Sequence, residues 1–310
     1  MAHRLIAALL AALAFVVLGA QSAAAQEATW SVVTADNDFG ADRDNYGYTV
    51  DPGGRLDDGL VITNPGTAPL DLAVYAADAF TTADGRLDLR TRNTAATGVG
   101  AWVHASQEHV TVPGGQSVPV PFTVTVPPNA APGDHMGGIV TALTRNGVER
   151  RIGLRIRLRV GGTLNPALSL EDLSVDYSGT PNPVGSGDAT LSYTIHNTGN
   201  AIVTARQAAA VEGPFGTWRV AAGRIDDSPE LLPGERWQMS VPVHGVVPAL
   251  RLTGTVTLAP LLTDASGSTA PLAGADTAAH GAAVPWVLVT IVVVLVAGAV
   301  LLRRRGKRNS

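Results

Sequence analysis

Apolar and polar residues alternate along much of this 310-residue chain, and this two-residue period is the feature that most restricts its fold. In the clearest case, alternate positions from 118 to 126 are Val, Val, Phe, Val and Val, with Pro or Thr between them. The same alternation recurs at 191–195, 239–243 and 252–258. Successive side chains of a β-strand point to opposite faces of a sheet, so each run predicts a strand with one buried face.

Turns rich in glycine, proline and asparagine separate these runs, at 51–54, 64–66, 113–115, 131–133, 197–199 and 233–234. No segment before residue 284 shows a long period of 3.6 residues, which a buried helix would need. Many short strands joined by such turns are typical of immunoglobulin-like sandwiches. Pro119 and Pro121 cannot donate hydrogen bonds to a neighbouring strand, so their strand is predicted to lie at a sheet edge.

The beginning of the chain is typical of a secretory leader. Arg4 precedes an apolar run at 5–18, and three alanines follow at 23–25. A basic start, an apolar core and small residues before the cleavage point are the three parts of a signal peptide, which we predict over 1–25.

The end of the chain is typical of a membrane anchor. Residues 284–302 are almost entirely Val, Leu, Ile, Ala and Gly, and as a helix they would extend about 28 Å, close to a ~30 Å hydrocarbon core. Five basic residues follow within the tail 303–310, and such residues favour the cytoplasmic side. We therefore predict a single-pass plasma-membrane protein with an extracellular N-terminus, a transmembrane helix over 284–302 and a cytoplasmic C-terminus.

The segment between these ends is acidic and has no cysteine. It contains 16 arginines and 26 acidic residues, which gives a net charge of −10. An acidic surface repels phosphate, so we predict that nucleic acid is not a partner. Disulfides usually stabilise small extracellular modules in animals and yeast, so their absence favours a bacterial surface protein stabilised by its own cores.

A weak internal repeat divides the middle of the chain. LVITNPGTA at 60–68 parallels YTIHNTGNA at 193–201, and an apolar-Pro-Gly turn follows each copy, at 112–114 and 232–234. Two tandem copies of one topology would explain the repeat, and so would the turn chemistry that any two sandwiches share. We predict an all-β fold of two tandem immunoglobulin-like β-sandwiches, at 28–160 and 165–262, with a stalk of small residues at 263–283 before the transmembrane helix.

A series of short motifs crosses the first predicted domain. In chain order they are NYGY at 45–48, DPG at 51–53, LVITN at 60–64, AFTT at 79–82, GRLD at 85–88, WV at 102–103, VTVP at 110–113 and 124–127, and APGDHMGGI at 131–139. In this order they resemble the N-terminal domain of the WxL-interacting proteins, a family of Gram-positive cell-surface proteins with a C-terminal membrane helix and a basic tail. Many actinobacterial proteins resemble this domain too.

The resemblance covers about 30–160 and implies an immunoglobulin-like module associated with peptidoglycan binding. In the family, a second module follows that engages a host or partner ligand, and the proteins work beside WxL-domain surface proteins. The second half of this chain departs from that pattern. Residues 167–260 are similar to sandwich modules appended to many secreted bacterial proteins.

Four arginines lie on one face of a predicted strand at 151–160, with apolar residues on the other face. Guanidinium groups bind phosphate and carboxylate through paired hydrogen bonds, so this face is a candidate site for teichoic-type phosphate or muropeptide carboxylate. Alternatively, the arginines are solvated, pair with acidic residues on the neighbouring strand and protect a sheet edge from aggregation. The four candidate residues are Arg151, Arg155, Arg157 and Arg159.

No motif for a metal, a cofactor or a catalytic centre is found. The segment 36–45 is rich in aspartate but lacks the glycine at position six and the glutamate at position twelve of a calcium loop. The histidines lack zinc-ligand spacing, although His104 and His109 are only five residues apart. A Gly-x-Ser-x-Gly elbow, a phosphate loop and a His-Glu-x-x-His motif are also missing. We therefore predict a protein without catalytic residues, metal or cofactor.

Two classes of function follow. The first is a non-catalytic scaffold of the Gram-positive envelope that binds cell-wall polymer, either peptidoglycan or teichoic-type, and/or a partner surface protein. The second is a chaperone-like or assembly protein that captures an extended partner strand by β-augmentation. Binding to purified wall sacculi would favour the first class, and co-purification with one protein partner would favour the second.

Overall fold

A computed structural model describes residues 29–179, 185–249, 251–263, 269–271, 277–283 and 286–306. Strands make up most of the described chain, which confirms the prediction of an all-β fold. The strands form four sheets, and these pack as two pairs that we call the N-terminal and C-terminal sandwiches. The predicted signal peptide at 1–25 lies outside the described residues.

The N-terminal sandwich contains ten strands and one short helix. These are β1 (Ser31–Thr34), β2 (Tyr46–Val50), β3 (Arg55–Thr63), β4 (Leu70–Thr81), β5 (Leu87–Leu89), α1 (Val99–Trp102), β6 (Val103–Ala105), β7 (His109–Val112), β8 (Ser117–Thr125), β9 (Gly133–Arg145) and β10 (Val148–Val160). One sheet has the order β1-β3-β8-β6, and the other has the order β2-β10-β9-β4-β5, with β7 also paired to β4. Strands β2 and β10 are parallel, and the other pairs are antiparallel.

The core of this sandwich follows from the two-residue period. Leu60 and Phe122 from the first sheet meet Leu72, Ile139 and Leu158 from the second sheet, and all five are buried. Burying each such side chain contributes about 1.5–3 kcal/mol, so shared burial between the sheets holds them together.

Strand β8 is not an edge strand, so that prediction is wrong for the strand as a whole. It pairs with β3 along its length and with β6 at residues 122–124. Pro119 and Pro121 lie before the short β6 pairing, where no strand needs their missing N–H groups. On the β6 side of these two prolines, the Pro121 carbonyl accepts a hydrogen bond from the Ser106 amide at 2.8 Å.

The C-terminal sandwich contains eight strands within the described residues. These are β11 (Leu168–Ser178), β12 (Gly187–Asn197), β13 (Val203–Glu212), β14 (Val220–Ala221), β15 (Arg236–Val246), β16 (Leu252–Thr263), β17 (Thr269–Pro271) and β18 (Thr277–Ala283). One sheet has the order β11-β12-β15, and the other has the order β14-β13-β16-β17, with β18 also paired to β16. Part of the predicted stalk is therefore a strand. Backbone pairing of β18 with Leu252–Leu258 stabilises this segment without requiring large apolar side chains.

The two copies of the internal repeat form the same corner. Asn64 and Asn197 are almost fully buried, and the side-chain oxygen of each accepts the amide two residues later, at 2.9 and 3.0 Å. Each side-chain amide donates to two carbonyl oxygens at 2.8–3.0 Å, those of Ala68 and Val112 for Asn64, and of Ala201 and Leu231 for Asn197. The two asparagines therefore make matching contacts, and each set includes one distant carbonyl that the turn itself does not determine.

A helix, α2 (Trp286–Gly306), follows the C-terminal sandwich. It covers most of the predicted transmembrane segment at 284–302 and continues into the predicted tail at 303–310. Within the described residues, no helix is long and apolar enough to cross a membrane. The prediction of a helix is therefore confirmed, and the prediction that it spans a membrane is not.

Candidate functional site

The four candidate arginines lie on the face of β10 that points away from the core. Their neighbours Ile156 and Leu158 are fully buried within the sandwich. The shared face therefore agrees with the sequence period, but the structure divides the four arginines into two pairs with different environments.

Arg157 and Arg159 belong to the junction between the sandwiches. The Nε and Nη2 atoms of Arg159 donate to the two carboxylate oxygens of Asp134 at 2.7 and 2.9 Å. An Nη atom of Arg157 lies 3.7 Å from the same carboxylate and another lies 3.9 Å from Glu230. The Asp134 carboxylate is completely buried and also accepts the Ile202 amide of the C-terminal sandwich at 3.0 Å. These two arginines therefore pair with acidic groups, which is the alternative left open by the sequence.

Further contacts fix the junction. The Thr81 amide and hydroxyl donate to the Glu235 carboxylate at 2.8 and 2.7 Å. The Asn200 side chain donates to the carbonyls of Pro132 and Thr163, at 3.0 and 2.9 Å. An apolar cluster of Met136, Ile202 and Leu232 lies beside these polar contacts.

A cleft of about 470 Å³ opens at this junction. Its carboxylates already have partners: Asp78 accepts the amides of Thr97, Gly98 and Gly100, and Glu235 accepts Thr81. The acidic side chains of the cleft therefore form structural hydrogen bonds within the protein.

Arg151 and Arg155 flank a second pocket, of about 370 Å³, on the outer face of β10. Arg151 Nη1 donates to the Leu89 carbonyl at 3.1 Å, whereas Arg155 is exposed and donates from Nε to Asn45 Oδ1 at 3.3 Å. Between them lies Gly153, where an added Cβ would lie 2.6 Å from Leu89 Cδ1. The complete lining is Leu87, Asp88, Leu89, Val140, Arg151, Gly153 and Arg155.

The backbone of β10 is paired on only one side over its first seven residues. Strand β9 pairs along all of β10, but β2 pairs only with Ile156–Val160. Beyond that pairing, the Gly161 amide donates to the Val50 carbonyl at 3.0 Å, so odd-numbered residues of β10 direct their backbone groups toward β2. The backbone N–H and C=O groups of Glu149, Arg151 and Gly153 therefore point outward, without a strand partner among the described residues. We call Val148–Leu154 the open edge.

Asp58 is the centre of a second polar cluster, which the sequence did not single out. Arg43 donates to both carboxylate oxygens, at 2.8 and 3.1 Å, and the Tyr48 hydroxyl donates at 2.6 Å. Asn37 and the Gly59 amide donate to Oδ1 at 2.5 and 2.7 Å. Burial alone would raise the pKa of Asp58, but the hydrogen bonds from Arg43 and the other donors outweigh it and hold the pKa below its ordinary value.

This cluster gives a structural role to two residues of the segment at 36–45. The segment supplies Arg43 and Asn37 to Asp58, so it closes over the sandwich through an ion pair. Across the described residues, no group of three or more His, Asp or Glu side chains lies close enough to hold a metal ion.

No protein-family model and no curated protein matches the chain. Among solved structures, a chaperone–tip adhesin complex of CFA/I fimbriae biogenesis is 8% identical, with 82% of this chain and 99% of that chain covered, at a TM-score of 0.39. The E. coli chaperone DraB is 8% identical, with 81% and 96% covered, at a TM-score of 0.37.

A family 123 glycoside hydrolase from Clostridium perfringens is 11% identical at a TM-score of 0.32, and the match covers 44% of this chain. The chain spans only 28% of that hydrolase. TM-scores this low do not establish a common fold, so we interpret the site from its own geometry. The resemblance to the WxL-interacting proteins stays a prediction.

Proposed function

We propose that this protein is a non-catalytic binding protein that captures an extended segment of a partner protein as an additional strand beside the open edge. The observation that carries the proposal is the incomplete pairing of β10, which β2 covers only from Ile156 onward. An incoming strand would continue the sheet in line with β2. Strand addition of this kind gives affinity through main-chain hydrogen bonds and specificity through side-chain pockets.

The form of the open edge supports this proposal. Its outward N–H and C=O groups are already aligned by the pairing of β10 with β9, so capture requires little ordering of the receptor. Ile152 and Leu154 are only partly buried against the core, and an added strand would cover more of their surface. The 370 Å³ pocket lies on the other face of the same segment and offers a place for a partner side chain.

Binding of an anionic wall polymer is less well supported. It was predicted from four aligned arginines, yet Arg157 and Arg159 are held by the buried Asp134. Arg151 is held by backbone carbonyls, which leaves Arg155 as the exposed member of the four. One guanidinium group supplies much less of the phosphate attraction on which such binding depends.

A matched pair of variants tests strand capture. Arg151→Pro removes an outward N–H from the open edge, and Arg151→Gln removes the same guanidinium group but keeps the N–H. Proline is tolerated on a sheet edge where its nitrogen faces solvent, so both variants should fold. The probe is a nine-residue peptide of alternating Thr and Val, titrated into the full chain in mild detergent.

We expect the wild-type chain and Arg151→Gln to bind the peptide, and Arg151→Pro to bind it roughly tenfold more weakly, since a hydrogen bond of ~1 kcal/mol and close approach are lost. A peptide with every amide N-methylated should not bind, because neither of its edges can donate hydrogen bonds. Equal binding by both variants would contradict the proposal. So would binding to purified sacculi that is lost in Arg155→Gln but unchanged in Arg151→Pro, because that result would indicate wall polymer as the ligand.

A further inference from the structure

We infer that the tip of the hairpin between β13 and β14 docks on a lipid surface, where Phe215 and Trp218 insert among the lipid headgroups. We call residues 213–219 the aromatic tip. It belongs to the C-terminal sandwich and shares no residue with the open edge, so lipid contact and strand capture are independent of each other.

The aromatic tip exposes two large aromatic side chains. Phe215 is fully exposed and Trp218 is 59% exposed, so their burial within the protein does not explain them. Both residues also have a positive φ, 59° and 51°, a conformation that favours Gly or Asn over an aromatic residue. Neither packing nor backbone preference accounts for aromatic residues here, whereas contact with an external apolar surface would.

Hydrogen bonds close the aromatic tip. The Gly213 amide donates to the Thr217 carbonyl at 2.7 Å, and the Thr217 hydroxyl donates to the Pro214 carbonyl at 2.7 Å. At the base of the tip, Arg219 pairs with Glu212, so the charge of this carboxylate is neutralised. A closed tip loses little conformational entropy on binding, and a neutralised base lowers the cost of approaching lipid.

The strand register places the aromatic tip near the start of α2. Glu212, the last residue of β13, lies opposite Thr253 of β16, and Thr253 also lies opposite Ala282 of β18. Neighbouring strands are ~4.8 Å apart, so the chain leaves β13 and β18 about 10 Å apart at the same end of the sheet. Helix α2 begins at Trp286, three residues after Ala283, and three residues extend at most about 11 Å.

Helix α2 presents apolar side chains in every direction. The six consecutive residues at 291–296 are Ile, Val or Leu, and all six are exposed. Six residues exceed one turn of 3.6, so no face of this segment is polar. A protein partner would cover one face of such a helix, whereas lipid can cover all of them. The aromatic tip and α2 therefore form one apolar end of the C-terminal sandwich, and contact with lipid does not require α2 to cross the membrane.

This apolar end lies far from the junction between the sandwiches. Strand β13 begins at Val203, directly after Ile202, whose amide donates to Asp134 of the N-terminal sandwich. The ten residues of β13 extend about 33 Å from there to the aromatic tip. Lipid contact at the tip would therefore leave the N-terminal sandwich, with its open edge, on the water side.

The chain has no cysteine, so one introduced thiol can report on the aromatic tip. Thr217→Cys in the full chain is labelled with an environment-sensitive fluorophore. The labelled protein is diluted from mild detergent into phosphatidylcholine vesicles, with or without bromine on the lipid acyl chains. Asn93→Cys, labelled in the same way, is the control, because Asn93 is equally exposed to water but lies in the N-terminal sandwich.

Variants of the labelled Thr217→Cys chain test the two aromatic rings. Phe215→Asn combined with Trp218→Asn removes both rings, and asparagine tolerates a positive φ, so the fold should be kept. The matched control is Val33→Thr, which removes an apolar side chain that is 54% exposed in the N-terminal sandwich.

We expect vesicles to shift the emission of the Thr217 label to shorter wavelength and brominated lipid to reduce its intensity about twofold, because an inserted tip reaches the boundary between headgroups and acyl chains. The Asn93 label should not respond. The response of the Thr217 label should be lost in the double Asn variant and kept in Val33→Thr.

A Thr217 label that stays as accessible to water as the Asn93 label would overturn the inference. An undiminished response in the double Asn variant would do so too, since the rings would then not be the inserted groups. A shift that appears without vesicles and grows with protein concentration would also overturn it, because a second copy of the chain would then cover the tip.

Discussion

Replacing Asp134 by Asn is predicted to destabilise the junction between the two sandwiches more than any conservative change on the surface. The carboxylate is completely buried and accepts hydrogen bonds from Arg159 and from the Ile202 amide, at 2.7–3.0 Å. Asparagine has the same size but only one acceptor oxygen. Its NH2 group must therefore replace Oδ1 and face Arg159 Nε, or replace Oδ2 and face both Arg159 Nη2 and the Ile202 amide, so at least one donor is left without an acceptor.

The expected loss follows from these contacts. An orphaned buried donor costs about 1–3 kcal/mol, and breaking a buried ion pair costs ~3–5 kcal/mol when the remaining charge is buried. Arg159 is 31% exposed, and water can therefore solvate part of its charge. We expect the free energy of unfolding to fall by roughly 3 kcal/mol and the Tm by about 6–12 °C for a chain of this size.

Urea denaturation of the full chain measures this loss. The matched control is Asp57→Asn, since the Asp57 side chain is 67% exposed. Its Oδ1 atom forms a surface ion pair with Arg55 Nη2 at 3.3 Å. That variant should change the free energy of unfolding by less than about 0.5 kcal/mol. If Asp134→Asn lost no more stability than Asp57→Asn, the buried carboxylate would not be what holds the junction.

Three further predictions concern other parts of the chain. The pKa of Asp58 is lower in the folded than in the unfolded protein, so its stabilising effect is present above about pH 4 and is lost as the pH falls through the folded pKa; Asp58→Asn should flatten the acid limb of stability against pH. Asn64→Ala and Asn197→Ala should each cost about 2–3 kcal/mol in thermal unfolding, because three hydrogen bonds are lost, while the exposed Asn93→Ala should cost almost nothing. Protease added to spheroplasts should degrade most of the protein if the predicted exterior location is correct, and an intact chain would contradict it.

The sequence predicted features set by neighbours along the chain. A two-residue period was sufficient to predict the strands and the common face of the arginines, because side-chain direction depends only on position within a strand. It also marked Asn64 and Asn197 as equivalent, since both stand in similar motifs before a Gly-containing turn. Their burial and their bonds to Val112 and Leu231 were not predictable, because those carbonyls are 48 and 34 positions away.

The division of the arginines was beyond sequence analysis for a related reason. The pairing of Arg159 with Asp134 depends on the register of β9 against β10, which places the two residues directly opposite each other. The bond from Ile202 to Asp134 depends further on how the sandwiches dock. The open edge arises because β2 is short, and the segment at 36–45 shortens it by turning toward Asp58. The register of β9 against β10, the docking of the sandwiches and the length of β2 therefore cannot be predicted from local sequence patterns.

An open edge must also avoid pairing with a second copy of itself, and Arg151 accomplishes this. Antiparallel self-pairing centred on Arg151 would place the two Arg151 side chains directly opposite each other. Like charges directly opposite destabilise a sheet, so this register is disfavoured. Arg151→Thr replaces the repulsion by a Thr–Thr pair, a change of roughly 1 kcal/mol. We expect this variant to self-associate in sedimentation equilibrium and Arg151→Pro to stay monomeric; a monomeric Arg151→Thr chain would show that charge does not protect this edge.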